Sequence, residues 1–99
     1  MPAYVIVELT VTDSDAYERY KALATSSVAA HGGAYRVRGG QIESVEGEPV
    51  THRFVVLEFP DMAAARAWYD SPDYQAALPI RQAAATTRRL FFIEGYEPD

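Results

Sequence analysis

Hydrophobic and polar residues alternate along the first part of the chain, a pattern that is typical of a half-buried β-strand. The alternation covers Tyr4–Val11, and two further strand-like stretches cover Ala34–Val45 and Thr51–Phe59. The turn-forming residues Glu46–Pro49 lie between these two stretches and predict that they pair as a hairpin. The apolar run within Arg89–Tyr96 predicts a fourth strand.

Apolar residues at helical spacing separate these strands. A first helix is predicted from a cap at Thr12–Asp13 to His31–Gly33, where glycine suits the left-handed C-terminal position. A second helix is predicted over Met62–Asp70, with Asp61 as its cap. Ser71–Pro72 then provides a new cap with proline at the first helical position, and we expect this third helix to continue to about Thr87.

The order of elements is strand, helix, strand, strand, helical segment, strand. Right-handed crossovers arrange this order as one antiparallel sheet, with strand order 4-1-3-2 and the helices on one face. The prediction is an α+β, ferredoxin-like βαββαβ plait in which residues 1–99 form a single domain. The other face carries Ile6, Val56 and Phe92 or their neighbours, and such an apolar surface needs a cover. We therefore expect a homodimer, a dimeric α/β barrel with a cleft in each half.

Composition and charge exclude several classes of protein. Apolar residues make up 48% of the chain, too many for a disordered protein, and no apolar run reaches the roughly 18 residues of a membrane helix. The net charge of −5 and the scattered basic residues disfavour nucleic acid as a partner. The absence of cysteine removes disulfides, thiolate nucleophiles and cysteine metal sites. Met1–Tyr4 shows no signal-peptide pattern, so we expect a cytoplasmic protein.

A set of short motifs follows in order along nearly the whole chain: Tyr17-x-x-Tyr20, His31-Gly32-Gly33, Arg38-Gly39-Gly40, Glu46-Gly47, Glu58-Phe59-Pro60, Trp68-Tyr69-x-Ser71-Pro72-x-Tyr74, Arg81 and Glu94-Gly95. With these motifs the chain resembles the bacterial family DUF1330, a domain of unknown function in the dimeric α/β-barrel superfamily. The resemblance implies a fold and a dimer, but it brings no catalytic residues, because the family has no agreed reaction. Relatives within the superfamily include cofactor-free monooxygenases, lactone isomerases, haem proteins similar to chlorite dismutase and stress-responsive barrels.

The candidate catalytic residues are His31, Arg38 and Glu58. Histidine suits acid–base work near neutral pH, so His31 is either a general base at the cleft or a residue that stabilises the negative end of its helix. Folding the hairpin brings Arg38 roughly opposite Glu58, although a bulge or close approach at Gly39–Gly40 can shift this register by one residue. The two form either a cross-strand ion pair or a site in which Arg38 holds a carboxylate or enolate and Glu58 takes a proton.

Four aromatic residues and one arginine are the candidate substrate-binding residues: Tyr20, Trp68, Tyr69, Tyr74 and Arg81. They either line an apolar pocket for a flat, weakly acidic ligand or pack the helices on the sheet. Arg81 lies one helical face from Tyr74 and is either an anion anchor or a solvated residue. Ser71 is interpreted as a helix cap and His52 as a solvated residue beside a turn.

No metal and no cofactor are predicted. Glu8, Glu58 and Glu94 lie on three strands, but Glu8 is expected at the opposite end of the sheet from the other two. Two classes of function stay open. One is a cofactor-independent enzyme that acts by proton transfer on a small planar or carbonyl-bearing metabolite, as an isomerase, cyclase or monooxygenase. The alternative is a non-catalytic ligand-binding or stress-related dimeric barrel. We favour the enzyme, with a second copy and a small-molecule ligand as partners.

Overall fold

The computed structural model describes residues 1–98 and contains one four-stranded antiparallel sheet with three helices. The strands are β1 (Ala3–Val11), β2 (Ala34–Arg38), β3 (Arg53–Phe59) and β4 (Ala85–Glu94). The helices are α1 (Ser14–Ala30), α2 (Met62–Asp70) and α3 (Pro72–Ala84). The strand order β2-β3-β1-β4 is the predicted order read from the other edge, so the ferredoxin-like plait is confirmed. None of the helices in residues 1–98 has the length and apolar character required of a transmembrane segment.

Each helix begins at a side-chain cap that the sequence predicts. Asp13, Asp61 and Ser71 each accept the backbone N–H three residues ahead, at 3.1, 2.8 and 3.3 Å. Such a cap satisfies one of the N–H groups that lack a partner in the first helical turn. The Ser71 hydroxyl also donates to the Trp68 carbonyl oxygen at 2.6 Å and so joins α2 to α3. The interpretation of Ser71 as a cap is therefore confirmed.

The predicted length of β2 is wrong. This strand ends at Arg38 rather than Val45, and residues 39–52 form a loop. Gly39 has a φ of +69°, a left-handed conformation that glycine adopts without strain. A Cβ atom at this position would collide with the Arg53 guanidinium. The expected close approach at the glycine pair is therefore present, and it ends the strand instead of interrupting it.

The boundary between α3 and β4 also differs from the prediction. The helix ends at Ala84 rather than about Thr87, and β4 begins at Ala85 rather than Arg89. The Ala84 carbonyl oxygen accepts the backbone N–H groups of Thr12–Asp13 at 2.8 and 3.0 Å. These two tertiary hydrogen bonds satisfy the last helical carbonyl and let the chain pass directly from helix to strand.

The register of the outer hairpin overturns one predicted contact. A bulge within β2 places Arg38 opposite Val55, while Glu58 lies opposite Ala34. The expected pairing of Arg38 with Glu58 is therefore wrong. Arg36 takes that place, with its Nε 3.0 Å from Glu58 Oε1. The bulge changes the register because two residues of one strand then oppose one residue of the other.

The face of the sheet that carries the helices forms the core. Trp68, Tyr74 and Phe59 are among its largest fully buried side chains. Gly33 makes this packing possible at the start of β2, because a Cβ atom there would lie 2.5 Å from the Phe59 ring. The core therefore fixes where α1 ends and where β2 enters the sheet.

The face away from the helices, called the open face below, is apolar at its centre. Ile6 lies between Val56 on β3 and Phe91 on β4. Phe91 and Ile93 are 41% and 51% exposed. The sequence predicted Phe92 or a neighbour on this face. The residue found there is Phe91, because Phe92 packs against the core on the helix side. The single chain therefore leaves an apolar sheet face uncovered.

Candidate functional site

The four aromatic residues predicted to bind substrate come together between the helices and the sheet. The ring centroids of Trp68 and Tyr74 are 4.3 Å apart, and those of Tyr69 and Tyr74 are 5.4 Å apart. Tyr20 on α1 contacts Tyr74 edge to face, with the centroids 6.3 Å apart. Trp68 and Tyr74 are completely buried, so the centre of this group is filled by its own side chains.

A chain of hydrogen bonds connects this aromatic group to Arg81. Arg81 Nη1 donates to the Tyr74 hydroxyl at 2.7 Å, and the Tyr74 and Tyr20 hydroxyls are 2.9 Å apart. Arg81 is only 5% exposed, so it is not the solvated arginine that the sequence left open. Its guanidinium lies inside the protein and belongs to the same site as the two tyrosines.

Burial keeps the tyrosine hydroxyls protonated. Desolvation raises the pKa of Tyr20 far above its ordinary value, and the adjacent Tyr74 hydroxyl raises it further. Burial also raises the pKa of Tyr74, although the nearby Arg81 charge opposes that effect. At neutral pH both hydroxyls therefore keep their protons; one proton is used in the bond between the two hydroxyls, and the other can be donated to an anionic oxygen.

Further tyrosines and arginines extend the site toward β2 and β3. The Arg38 guanidinium lies 4.1 Å from the centroid of the Tyr35 ring, and the Arg53 guanidinium lies 5.6 Å from that of Tyr17. Tyr17 in turn contacts Tyr20, with the ring centroids 5.5 Å apart. We call this set the tyrosine–arginine cluster; it consists of Tyr17, Tyr20, Tyr35, Tyr74, Arg38, Arg53 and Arg81.

The cluster holds positive charge without a matching carboxylate. None of the ion pairs formed within residues 1–98 includes Arg38, Arg53 or Arg81. The Nε atoms of Arg53 and Arg81 are buried and find no hydrogen-bond partner in the described part of the chain. The chain as a whole carries a net charge of −5, so acidic residues are not scarce. Buried cations are usually paired; Arg81 is buried, whereas Arg53 is partly exposed and Arg38 exposed, so Arg81 is the cation for which an anionic ligand would matter most.

His31 lies away from the cluster. It follows the end of α1, where its Nδ1 lies 2.8 Å from the Ser27 carbonyl oxygen and must donate to it. Tyr20 is about 16 Å earlier along the helix axis, at 1.5 Å per residue. Ser27 also accepts the Trp68 indole N–H at 3.0 Å. The structure thus places His31 at the end of its helix, which agrees with the interpretation that it stabilises the negative helix end, and it does not bring His31 to Arg81.

Arg38 and Glu58 lie on opposite faces of the sheet. Arg38 faces α1, where its Nη2 donates to Thr25 Oγ1 at 2.7 Å. Glu58 pairs with Arg36 across β2 and β3 on the open face. The three candidate catalytic residues therefore do not meet in one site, and a catalytic role for each of them stays a prediction. Glu8 pairs with Phe54, at the other end of β3 from Glu58, as expected.

A groove of about 490 Å³ lies between α2 and the edge strand β4. Tyr69 and Phe92 form aromatic walls, with their ring centroids 6.2 Å apart. The Arg66 guanidinium lies 4.9 Å from the centroid of the Phe92 ring. Tyr69 connects this groove to the buried aromatic group, so one of the predicted substrate-binding residues lines an open groove.

Sequence reasoning missed a charged group on the open face. Glu8 is buried, and its carboxylate lies 2.9 Å from His52 Nδ1 and 2.9 Å from Arg89 Nε. The interpretation of His52 as a solvated residue is therefore wrong. The pairing of Glu8 with Arg89 was predictable in principle, because the two residues lie opposite each other on neighbouring antiparallel strands. The position of His52 was not, because the loop that brings it to Glu8 has no regular sequence pattern. Within residues 1–98, no group of three or more His, Cys, Asp or Glu side chains is placed to hold a metal ion.

The family described as a domain of unknown function, DUF1330, matches residues 2–96. The chain belongs to the DUF1330 family. The expected family is therefore confirmed over nearly the whole length. A comparison of this DUF1330 chain with curated proteins finds no match.

Solved structures similar to this DUF1330 protein share its fold. A protein of unknown function from Rhodopseudomonas palustris is 20% identical, with a TM-score of 0.76 over 98% of this chain and 84% of that one. SnoaB, a cofactor-independent oxygenase from Streptomyces nogalater, is 14% identical, with a TM-score of 0.66 over 98% and 95%. A dimeric ferredoxin-like protein of unknown function from Thermobifida fusca is 22% identical, with a TM-score of 0.65 over 95% and 91%. At these identities the likeness shows the fold alone.

Proposed function

We propose that this protein is a small homodimeric, cofactor-independent enzyme of the cytoplasm that acts on a planar or carbonyl-bearing metabolite. The observation that carries the proposal is the buried Arg81, which donates to Tyr74 and forms no ion pair with any carboxylate of residues 1–98. A buried cation without a counter-charge costs several kcal/mol, and an anionic ligand would remove much of that cost. The site therefore favours the anionic form of whatever it binds.

The chemistry suited to such a site is stabilisation of an enolate or phenolate. Arg81 carries only N–H donors, and of the two tyrosine hydroxyls that bond to each other, one keeps an O–H that can donate elsewhere. Preorganised donors of this kind stabilise a developing oxyanion. The substrate would lose its proton to water, because the cluster contains no carboxylate or histidine to receive it. Isomerisation, cyclisation and reaction with dioxygen all suit such an anion.

The similar structures support the choice of class without deciding it. SnoaB is described as a cofactor-independent oxygenase, so this fold accommodates that chemistry in at least one protein. The same fold hosts unrelated functions in general, so the site of each protein must provide its own reason. Here that reason is the unpaired charge of the tyrosine–arginine cluster.

A second copy of the chain is the proposed cover of the open face. Similar structures are described as dimeric, and Phe91 and Ile93 expose apolar surface in the single chain. Sedimentation at micromolar concentration tests this pairing. We expect wild type to be dimeric and Phe91→Lys to be monomeric, because a lysine in the interface would bury an unpaired charge. A monomeric wild type would end the dimer proposal.

A non-catalytic ligand-binding barrel is the second candidate. It is favoured by the complete burial of Trp68 and Tyr74, which fill the centre of the site. It is also favoured by the position of His31, which follows the end of α1 and contacts the helix instead of the cluster. A binding protein needs the anion preference of Arg81 but no proton acceptor.

A titration with 4-nitrophenol tests the anion preference that both candidates share. Its phenolate absorbs visible light, so the apparent pKa of the bound phenol can be read directly. We expect wild type to lower that pKa by about one unit or more, since one unit corresponds to 1.36 kcal/mol. Arg81→Met should abolish the shift, while Arg19→Met, at an exposed position of α1, should preserve it.

Turnover then separates the two candidates. Phenols, lactones and keto acids are first screened for thermal stabilisation of the protein, because specific binding raises apparent stability. Compounds that bind are incubated with the protein, with dioxygen present and absent, and their products are measured. Conversion that Arg81→Met loses supports the enzyme. Binding without conversion favours the binding protein, and a wild type that stabilises no compound and shifts no phenol pKa would refute both.

A further inference from the structure

A second cavity lies on the open face, around a carboxylate that water barely reaches. The Glu8 side chain is 10% exposed although it projects from the uncovered side of the sheet. His52 Nδ1 lies 2.9 Å from Glu8 Oε2, and Arg89 Nε lies 2.9 Å from Glu8 Oε1. Arg88 Nε lies 3.8 Å from Glu8 Oε2. Two arginines and a histidine therefore surround one carboxylate, and the two guanidinium charges exceed its single negative charge.

A β-bulge explains why two consecutive arginines reach the same carboxylate. Glu8 lies opposite Arg89, and the next residue of β1, Leu9, lies opposite Thr87. Arg88 is thus the extra residue of the bulge. In a regular strand consecutive side chains point to opposite faces, but a bulge redirects one of them. Here it places both arginines beside Glu8 instead of sending one toward the helices.

The loop between β2 and β3 closes the space in front of these side chains. Residues 48–52 of this loop and the two arginines line a cavity of about 360 Å³, within the range of small-molecule pockets. Arg88 and Arg89 approach Glu8 through Nε, and their side chains remain 55% exposed. The outer edge of each guanidinium is therefore available to a second acceptor. Glu48 also lines the cavity, but it is exposed, and water screens its charge.

We propose that this cavity is an anion site that binds a small carboxylate or phosphate ligand through Arg88 and Arg89, with the His52 ring in its wall. A guanidinium offers a planar pair of N–H groups that matches the oxygens of either anion. Glu8 is a positioning residue in this site, because it holds the arginines and His52 around the cavity. The site lies across the sheet from the tyrosine–arginine cluster and does not depend on the function proposed for that cluster.

The test uses the full chain and follows its only two histidines by NMR at fixed pH and ionic strength. Inorganic phosphate and succinate are titrated separately, with sodium chloride as the ionic-strength control. We expect one of the two anions to change the chemical shift of the His52 imidazole resonance in a saturable manner, while the His31 resonance stays in place. The anion with the higher affinity identifies the ligand class. The same response should persist in Arg81→Met.

Matched variants make the assignment specific. Arg88→Gln and Arg89→Gln should each weaken binding roughly tenfold or more, since a charged hydrogen bond contributes about 1.5–3 kcal/mol. Arg36→Gln is the control: Arg36 is 56% exposed and pairs with a glutamate on the same face. It should leave the affinity unchanged. If Arg89→Gln does not fold, Arg88→Gln carries the test, because Arg88 lies farther from Glu8.

Three outcomes would overturn the proposal. The first is the absence of a saturable His52 shift with either anion up to about 20 mM, a concentration well above the millimolar Kd of weak binding. The second is an equal loss of affinity in Arg36→Gln, which would indicate a general charge effect. The third is unchanged affinity in Arg88→Gln, which would leave the arginines as structural partners of Glu8 only.

Discussion

Replacement of Arg81 by methionine should make the empty protein more stable. Arg81 is 5% exposed, and among residues 1–98 its guanidinium has no carboxylate partner and its Nε no hydrogen-bond partner. Burying an unpaired ion costs several kcal/mol, whereas the hydrogen bond to Tyr74 returns about 1.5–3 kcal/mol. Methionine keeps the unbranched stem, and the Tyr74 hydroxyl keeps Tyr20 as a partner. We therefore expect Arg81→Met to raise the free energy of unfolding by about 1–3 kcal/mol.

Urea denaturation at pH 7, followed by Trp68 fluorescence and circular dichroism, measures this change. At fixed protein concentration the midpoint should rise without a change in slope, because the surface exposed on unfolding is nearly the same. The melting temperature should rise by roughly 4–8 °C per kcal/mol. Arg81→Lys keeps the charge but loses the planar fork, so it should be less stable than wild type. Arg19→Met should stay within about 0.5 kcal/mol.

A loss of stability in Arg81→Met would refute this reasoning. A decrease of more than about 1 kcal/mol would mean that the guanidinium is already compensated in the folded protein and contributes to its packing or hydrogen bonding. In that case the unpaired charge could not explain anion binding, and the proposed site would lose its main support. Gain of stability together with loss of binding is the pattern expected of a residue kept for function.

Three other predictions concern the core and the buried tyrosines. Ser27→Ala should cost about 1–3 kcal/mol in urea denaturation, because it leaves the buried Trp68 indole N–H without its acceptor; Ser26→Ala, at an exposed position, should change little. Gly33→Ala should lower the melting temperature strongly, whereas Gly40→Ala should not, because only the first Cβ meets other atoms. Stability should also fall above about pH 10, by up to 1.4 kcal/mol per pH unit for each buried tyrosine. Below that pH both states keep the phenol proton; above it only the unfolded chain releases it, because burial raises the folded pKa. A pH-independent stability between pH 9 and about 11.5 would contradict this.

The sequence predicts the fold well because the fold depends on local and periodic signals. Alternation identifies β1 and β3, and the caps Asp13, Asp61 and Ser71 locate the starts of all three helices. The errors fall where tertiary contacts decide. Ala84 ends α3 through hydrogen bonds to the turn after β1, a partner distant in the sequence. Gly39 ends β2 through its contact with Arg53, which is also distant.

The site is less predictable, because it depends on which face of the sheet each side chain occupies. Tyr74 and Arg81 are seven residues apart in one helix, so the sequence predicts that they lie on the same side of it. The structure agrees, because Arg81 donates a hydrogen bond to the Tyr74 hydroxyl. A strand assigns faces by alternation, and one bulge reverses every later assignment. The bulge in β2 separates Arg38 from Glu58, and the bulge in β4 places Arg88 beside Glu8. Neither bulge has a signal in the sequence.

Arginines on the two sides of the sheet differ in whether they pair with a carboxylate, and this difference bears on function. On the open face Arg36 and Arg89 each lie 2.9–3.0 Å from a glutamate oxygen. On the side of the helices, neither Arg53 nor Arg81 forms an ion pair within residues 1–98, although burial makes an unpaired charge more costly there than at the surface. A chain of net charge −5 has enough acidic residues to pair them. Arginines kept for stability alone would be expected in the opposite distribution, and this contrast is the reason for proposing that the cluster binds an anion.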